Sequence, residues 1–349
     1  MKKQVFALIV LQILLIVSFT GCMDTPSDKQ QGRIHYVDSL GGKEYTSIQK
    51  AINNATDGDT IEVSAGNYFE YLVVNKTVKL RGIDGATINP RNVSENKNSL
   101  IFISADNCTI EGFNIRNNEF WDDIIGIYIN SSGNKIKNNV ITRFEYGIYL
   151  KDDVSHGSKK IYTKINISNN EVSNCTYGIY LYAKSERNTI YKNDVNDNLE
   201  GINLYYGTNN TIYGNYVNSN TVYGIYININ SDSNFVTRNV CSENRYGIRF
   251  KGVSYNEIYL NRLEGNELGL YSCCGSSFNR IYKNTCIDNE KHASDGFYNS
   301  WDNGKDGNYW DDYIANYPNA TKSGKYWNTP YNILDGDNMD EHPLVNPTI

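Results

Sequence analysis

One phrase recurs along this chain, and its period limits the possible folds more than any other feature. From Thr189 to Asn289 the sequence runs TIYKNDVNDNLEGINLYYGTNN, TIYGNYVNSNTVYGIYININSDSN, FVTRNVCSENRYGIRFKGVSYN and EIYLNRLEGNELGLYSCCGSSFN before closing on RIYKNTCIDN. Its glycines fall at Gly201, Gly224, Gly247 and Gly269, and the same phrase runs upstream through Gly178, Gly147 and Gly126. A unit of 22 to 24 residues marks a solenoid, in which each repeat buries its apolar face against its neighbours.

Residue type separates the two solenoids that share this period. A leucine-rich repeat needs a leucine scaffold and a helical half-turn, whereas here Ile, Val and Tyr alternate in short runs bounded by Asn and Gly. That is strand-and-turn chemistry. In Gly224-Ile225-Tyr226-Ile227 the two Ile point to one face and Tyr226 to the other. The expected fold is all-β: a single-stranded parallel β-helix of roughly ten coils, with Ile, Leu and Val inside. Asn sets two further columns: Asn170, Asn193, Asn215, Asn239, Asn261 and Asn284, then Asn198, Asn220, Asn244, Asn266 and Asn289. Stacked amides can satisfy one another at tight turns, and Asn tolerates left-handed geometry. The columns are read as structural. Cys241 and Cys286 share a column with Val195, Val217 and Leu263 and read as small core residues, while Cys175 stands in the second Asn column.

The ends follow different rules. Lys2 and Lys3 precede the apolar run Val5 to Val17 and the sequence Phe19-Thr20-Gly21-Cys22, so residues 1–21 read as a signal peptide with Cys22 as a lipidation site. An uncleaved anchor is the rival reading. Both place the rest of the chain on the outer face of the cell membrane, and residues 22–33 are a polar tether. The β-helix proper is expected over 34–299, opened by a capping helix from Thr46-Ser47-Ile48 to Asn54. Residues 300–349 read as an irregular aromatic and acidic cap. A net charge of −6, with no clustered basic face, gives no footprint for nucleic acid.

Two stretches beyond the repeats carry a family resemblance. YTSIQKAINNATDGDTIEVSAGNYFEYLVVNKTVKLRG (Tyr45 to Gly82) and the tail from GNYWDDY to HPLVNP (Gly307 to Pro347) make the chain similar to the right-handed parallel β-helix proteins grouped with NosD and with carbohydrate-binding and sugar-hydrolase β-helices. The resemblance implies right-handedness, and an architecture shared more widely than any activity.

Three functions follow from it. The first is a cell-surface protein that binds or displays carbohydrate, or serves as an envelope scaffold, without catalysis; its partners would be envelope polysaccharide or other surface glycans. Its candidate platform is Trp121 with the outward tyrosines Tyr128, Tyr149, Tyr180, Tyr226 and Tyr271, and a second tyrosine column holds Tyr191, Tyr213, Tyr259 and Tyr282. Plain packing of stacked tyrosines is the competing account. The second is a polysaccharide lyase or glycoside hydrolase using loop residues Asp122, Asp123, Asp152, Asp153 and His156, with Arg249 and Lys251 as further parts. The glycines preceding His156 and Arg249 are four coils apart, about 19 Å at ~4.8 Å per coil, too far to flank one glycosidic bond. The third is a metal-maturation accessory, and a chain with His 4 and Met 3 is a poor copper-handling surface. Asp302, Asp306, Asp335, Asp337 and Asp340 faintly resemble calcium (Ca2+) ligands. Among the N-x-[ST] sequons, Asn92 and Asn319 are the candidate glycan carriers, and those in turn ladders would be buried.

Overall fold

The computed structural model describes residues 32–90, 98–118, 124–152 and 160–348. Short alternating runs of β-branched residues form strands, and the chain winds them into three parallel sheets, each 11-stranded. That is one turn more than the roughly ten expected from the repeat count. Sheet 1 starts at Ile34–Val37 and ends at Arg280–Tyr282; sheet 2 runs from Gly66–Phe69 to Tyr309–Trp310; sheet 3 runs from Leu72–Val74 to Lys291–Asp295. A representative coil passes from Tyr177–Glu186 in sheet 3 through Thr189–Tyr191 in sheet 1 and Asp194–Asn196 in sheet 2 to Glu200–Thr208, back in sheet 3.

Aliphatic side chains line up inside the tube. Ile148, Ile179, Ile202, Ile225, Ile248 and Leu270 stand in register on successive coils, and each is fully buried. Burying one such side chain contributes about 1.5–3 kcal/mol. Val217, Cys241, Leu263 and Cys286 form the equivalent column of sheet 2. The six described cysteines are free thiols, and Cys274 alone among them is exposed. The repeat glycines have a steric reason: a Cβ on Gly224 would lie 2.5 Å from the carbonyl oxygen of Gly247 in the next coil.

Helix α1 (Ile48–Asn54) covers the first coil with Ile48, Ala51 and Ile52. Ser47 caps it through the Lys50 N–H, and the Glu70 carboxylate accepts from the backbone N–H of Ile48 and Gln49. At the far end Tyr309–Trp310 pairs with Thr285–Ile287, and Trp301, Trp310 and Tyr313 are buried over the last coil.

Asparagine ladders run along all three turns rather than the two read from sequence. The first continues through Asn308, the second starts where the Cys175 N–H donates to Asn198, and the third is Asn188, Asn210, Asn234, Asn256, Asn279 and Asn299. Every rung has one polarity. Asn215 Oδ1 accepts from the backbone N–H and the Nδ2 of Asn193, both at 3.0 Å; Asn215 Nδ2 donates to Ile190 O at 3.0 Å and to Asn239 Oδ1 at 2.9 Å. Left-handed backbone falls on the residue before the ladder asparagines, such as Lys192 (φ 53), Asp197 (φ 56), Leu260 (φ 55) and Phe278 (φ 62), with the terminal Asn299 and Asn308 as exceptions. Asn is therefore selected for its amide rather than for tolerating the turn. The amide satisfies buried backbone groups, and that allows ordinary residues to occupy the strained position.

Each ladder ends with an amide whose N–H groups point past the last coil, and each meets a buried acceptor. Asn308 donates to Asp340 Oδ2 through its backbone N–H at 2.6 Å and lies 3.4 Å from it through Nδ2. Asn299 Nδ2 lies 3.0 Å from both Asp295 carboxylate oxygens, and Asn289 Nδ2 is 3.2 Å from His292 Nδ1. The two indoles join in, Trp310 Nε1 donating to Asp340 and Trp301 Nε1 to Asp295, each at 2.9 Å.

The ladder makes a quantitative prediction. Asn239→Ala strands the buried N–H of Asn215 and the carbonyl of Ile212 and is expected to cost about 2–4 kcal/mol. The exposed neighbour Glu243→Ala should cost under about 0.5 kcal/mol. Thermal and denaturant unfolding of the two variants compares these values directly.

Candidate functional site

Residues two beyond each repeat glycine point away from the core on sheet 3. They are Tyr128, Tyr149, Tyr180, Asn203, Tyr226, Arg249 and Tyr271, paired coil to coil. The structure corrects the expected exposure of two of them, because only 6% of Tyr149 and of Tyr226 is exposed, too little for a sugar to stack on either face, while Tyr128, Tyr180 and Tyr271 are partly exposed. A second column covers them: Tyr146, Tyr177, Tyr223 and Tyr246, each directly before its glycine. The ring of Tyr146 lies 4.1 Å from Tyr149 at an interplanar angle of 8°, and Tyr223 lies 4.4 Å from Tyr226. Sequence reading missed this column although the signal stands in the repeated Tyr-Gly-Ile phrase.

Together the columns form an aromatic strip along the solenoid. Tyr146 stacks on Tyr177 at 4.8 Å, Tyr149 on Tyr180 at 5.6 Å, and Tyr246 on Tyr271 at 5.4 Å. Burial pushes the Tyr128, Tyr177, Tyr223 and Tyr271 hydroxyls above the ordinary phenol range. They therefore stay protonated, able to donate and to accept. On one coil both columns lose their tyrosine: Glu200 and Asn203 stand there, with Asn203 Nδ2 donating to Glu200 Oε2 at 2.6 Å. The smaller column on sheet 1 is as read, Tyr191 on Tyr213 at 5.0 Å and Tyr259 on Tyr282 at 5.2 Å.

Of the catalytic candidates, Asp152 lies within the described residues, just past the strand Tyr146–Lys151, with its backbone N–H donating to Tyr182 O. Trp121, Asp122, Asp123, Asp153 and His156 lie outside them, as do Cys22 and Asn92. Asn319 is exposed. So are the sequon residues Asn107, Asn174 and Asn209, which sit beside the ladders rather than in them. Asn107, Asn174 and Asn209, with φ 59, 55 and 55, are the left-handed residues of their turns.

The acidic tail residues separate instead of converging. Burial would raise the Asp306 carboxyl, but hydrogen bonds from Lys325, Lys283 and Tyr326 outweigh it and hold the group well below the usual carboxylate range. Asp335 accepts from the Ser294 hydroxyl at 2.6 Å, Asp302 accepts from the Gly304 N–H, Asp337 is exposed, and Asp340 terminates a ladder. Among the described residues the group that does gather is His292, Asp311 and Asp312.

The geometry can be set beside known proteins. A family model described as periplasmic copper-binding protein (NosD) matches residues 23–198 and 162–315. The chain belongs to the NosD family. A cell surface glycoprotein of Methanothermus fervidus is 34% identical over 146 residues, 40% of this chain; the match spans only 22% of that relative's length. Three solved structures share the right-handed parallel β-helix fold. XylC in complex with xylose has a TM-score of 0.60 at 12% identity, covering 76% of this chain and 69% of its own. The Dettilon tailspike protein has 0.58 at 18%, covering 80% and 66%. The A-module of the mannuronan C-5 epimerase AlgE4 of Azotobacter vinelandii has 0.53 at 15%, covering 75% and 88%.

The NosD name raises the question of copper, and the His292 cluster does not fit that metal. Asn289 Oδ1 accepts from Asn266 Nδ2 at 2.8 Å, so its own Nδ2 must face Leu263 O and His292 Nδ1. Nδ1 thus accepts, and in the neutral ring the proton sits on Nε2, which donates to Asp311 Oδ1 at 2.7 Å. A metal-bound histidine has the reverse arrangement, with the free ring N–H donating outward. The Cys273 and Cys274 sulfurs lie 3.0 Å apart, but burial pushes the Cys273 thiol up, away from the thiolate that copper takes.

Asp340 supplies a pH test. Burial raises its carboxyl from 3.8 to about 7, outweighing the N–H donors of Asn308, Trp310 and His342. The folded state therefore binds this proton more tightly than the unfolded chain, and the corresponding stability is present below about pH 4 and lost as pH rises through about 7. Raising the pH from 5 to 8 should lower the melting midpoint of the wild type, and Asp340→Asn should flatten that slope.

Proposed function

We propose that this NosD-family protein is an exported cell-surface β-helix that binds carbohydrate along the outer face of sheet 3 without transforming it. The observation that carries this reading is the aromatic strip. Its rings are packed against one another, some face to face and some tilted, so what it offers a ligand is a row of ring edges and protonated hydroxyls held at the coil spacing. An extended polymer with repeated hydroxyls matches such a row better than a compact molecule does, because each coil presents an equivalent contact. Pre-packed rings also lose little rotamer freedom on binding. The similarity to a surface glycoprotein supports the location, and the sugar-related names among proteins of the same fold support the ligand class. Anchoring through Cys22 and attached glycan at Asn319 belong to the same proposal, as does an ordering role in the envelope.

A titration of the purified full chain against a panel of neutral and acidic oligosaccharides tests this. Binding should weaken about tenfold or more in the double variant Tyr177→Ala, Tyr246→Ala, with the fold retained by circular dichroism. New reducing or unsaturated ends in the incubated saccharide would instead establish the lyase or hydrolase reading.

A further inference from the structure

The strip contains one cation that has no ion-pair partner among the described residues. Arg249 occupies the position where tyrosine stands on the coils either side, Tyr226 and Tyr271. Its guanidinium carbon lies 5.1 Å from the ring centres of Tyr223 and Tyr226, 5.3 Å from Tyr271 and 5.6 Å from Tyr246. One terminal nitrogen donates to the Tyr223 hydroxyl and the other to Cys273 Sγ at 3.4 Å, while Nε is buried with no acceptor. A guanidinium has five N–H donors, and both acceptors found here are neutral groups. Burial pushes the Cys273 thiol up, with the guanidinium opposing the rise, so the sulfur is no counter-charge at neutral pH. Glu200, the carboxylate on the same face, is two coils away in strand register; the guanidinium opposes the rise that burial imposes on its carboxyl, but its hydrogen bond comes from Asn203 and it forms no ion pair with Arg249. Among the described residues, no carboxylate pairs with Arg249.

Leaving a half-buried cation unpaired is costly, and a tyrosine at this position would simply continue the column. Four rings hold the guanidinium in one place by cation–π contact, which removes the entropy cost of ordering a long side chain on binding. We propose that Arg249 is an anion subsite of the tyrosine strip and takes the carboxylate of a uronic-acid unit in an acidic polysaccharide. The ligand's anion would supply the missing counter-charge through charge-assisted hydrogen bonds to the guanidinium donors. This rests on the carbohydrate-binding reading above and adds to it a charge requirement at one coil.

The test titrates the full chain with an oligogalacturonate and with its methyl ester, which keeps the sugar and removes the charge, adding a sulfated oligosaccharide as a third arm. Wild type should bind the free acid roughly 10- to 100-fold more tightly than the ester, with affinity falling as salt rises. Arg249→Gln and Arg249→Tyr should abolish that preference, so that free acid and ester bind each variant with equal affinity; the tyrosine variant extends a column the fold already builds. A sulfated ligand preferred over the carboxylate, with the preference lost in both variants, would overturn the uronate assignment. Equal affinity for acid and ester in the wild type would overturn the anion subsite while leaving the strip as a sugar site. No binding of any of the three would overturn the carbohydrate reading and the subsite together.

Discussion

The side-chain amide of asparagine sets the terms for this molecule. It is the one small side chain that can accept from the coil before it and donate to the coil after it while also reaching a backbone carbonyl. Repeated along three turns, it satisfies the buried polar groups that a tight corner would otherwise strand. Because every amide points the same way, the column has a direction, with N–H groups left over at its C-terminal end. Asp340, Asp295 and His292 receive them. The acidic and aromatic character of the tail is in part a consequence of that polarity, and the same polarity orients the His292 ring away from metal binding.

With the inside given to aliphatic stacks and the corners to amides, the outer faces are free to vary. Sheet 3 uses that freedom for tyrosine, and the repeat imposes a spacing on whatever its outer face presents. The two interleaved columns turn single aromatic residues into one rigid surface, at the expense of their exposed faces. Glu200 and Arg249 interrupt that surface with opposite charges on different coils, so the strip has direction as well as periodicity. Packing and recognition use the same rings here, because a strip rigid enough to bind without reordering is also one that covers strand backbone.

Much of the fold was legible because solenoid contacts are local in the repeat: Ile202 predicts Ile225, and Asn215 predicts Asn239. The third ladder was legible too, since Asn188, Asn210, Asn234, Asn256 and Asn279 each stand five residues before an asparagine of the first column, but its distance from the glycines is not fixed and the glycine register did not expose it. The depth of Tyr149 escaped because its cover, Tyr146, comes from a neighbouring position on the same strand, whose side chain bends across the face. The role of Asp340 could not be read at all, since its partner Asn308 is a ladder residue separated from it by an irregular segment. Site residues on the two long loops are a different case: a loop freed from the repeat carries no register from which to infer its placement.

Register across coils is the claim on which ladders, core and strip all rest. Spin labels at positions 114, 140 and 171, each paired with one at 262, lie six, five and four coils apart in the sheet 2 register. Backbone separations of about 29, 24 and 19 Å are expected at ~4.8 Å per coil, although the pairs are far apart in sequence. Dipolar distances that shorten in these even steps would bear out the stacked coils; distances that fail to order with coil number would contradict them.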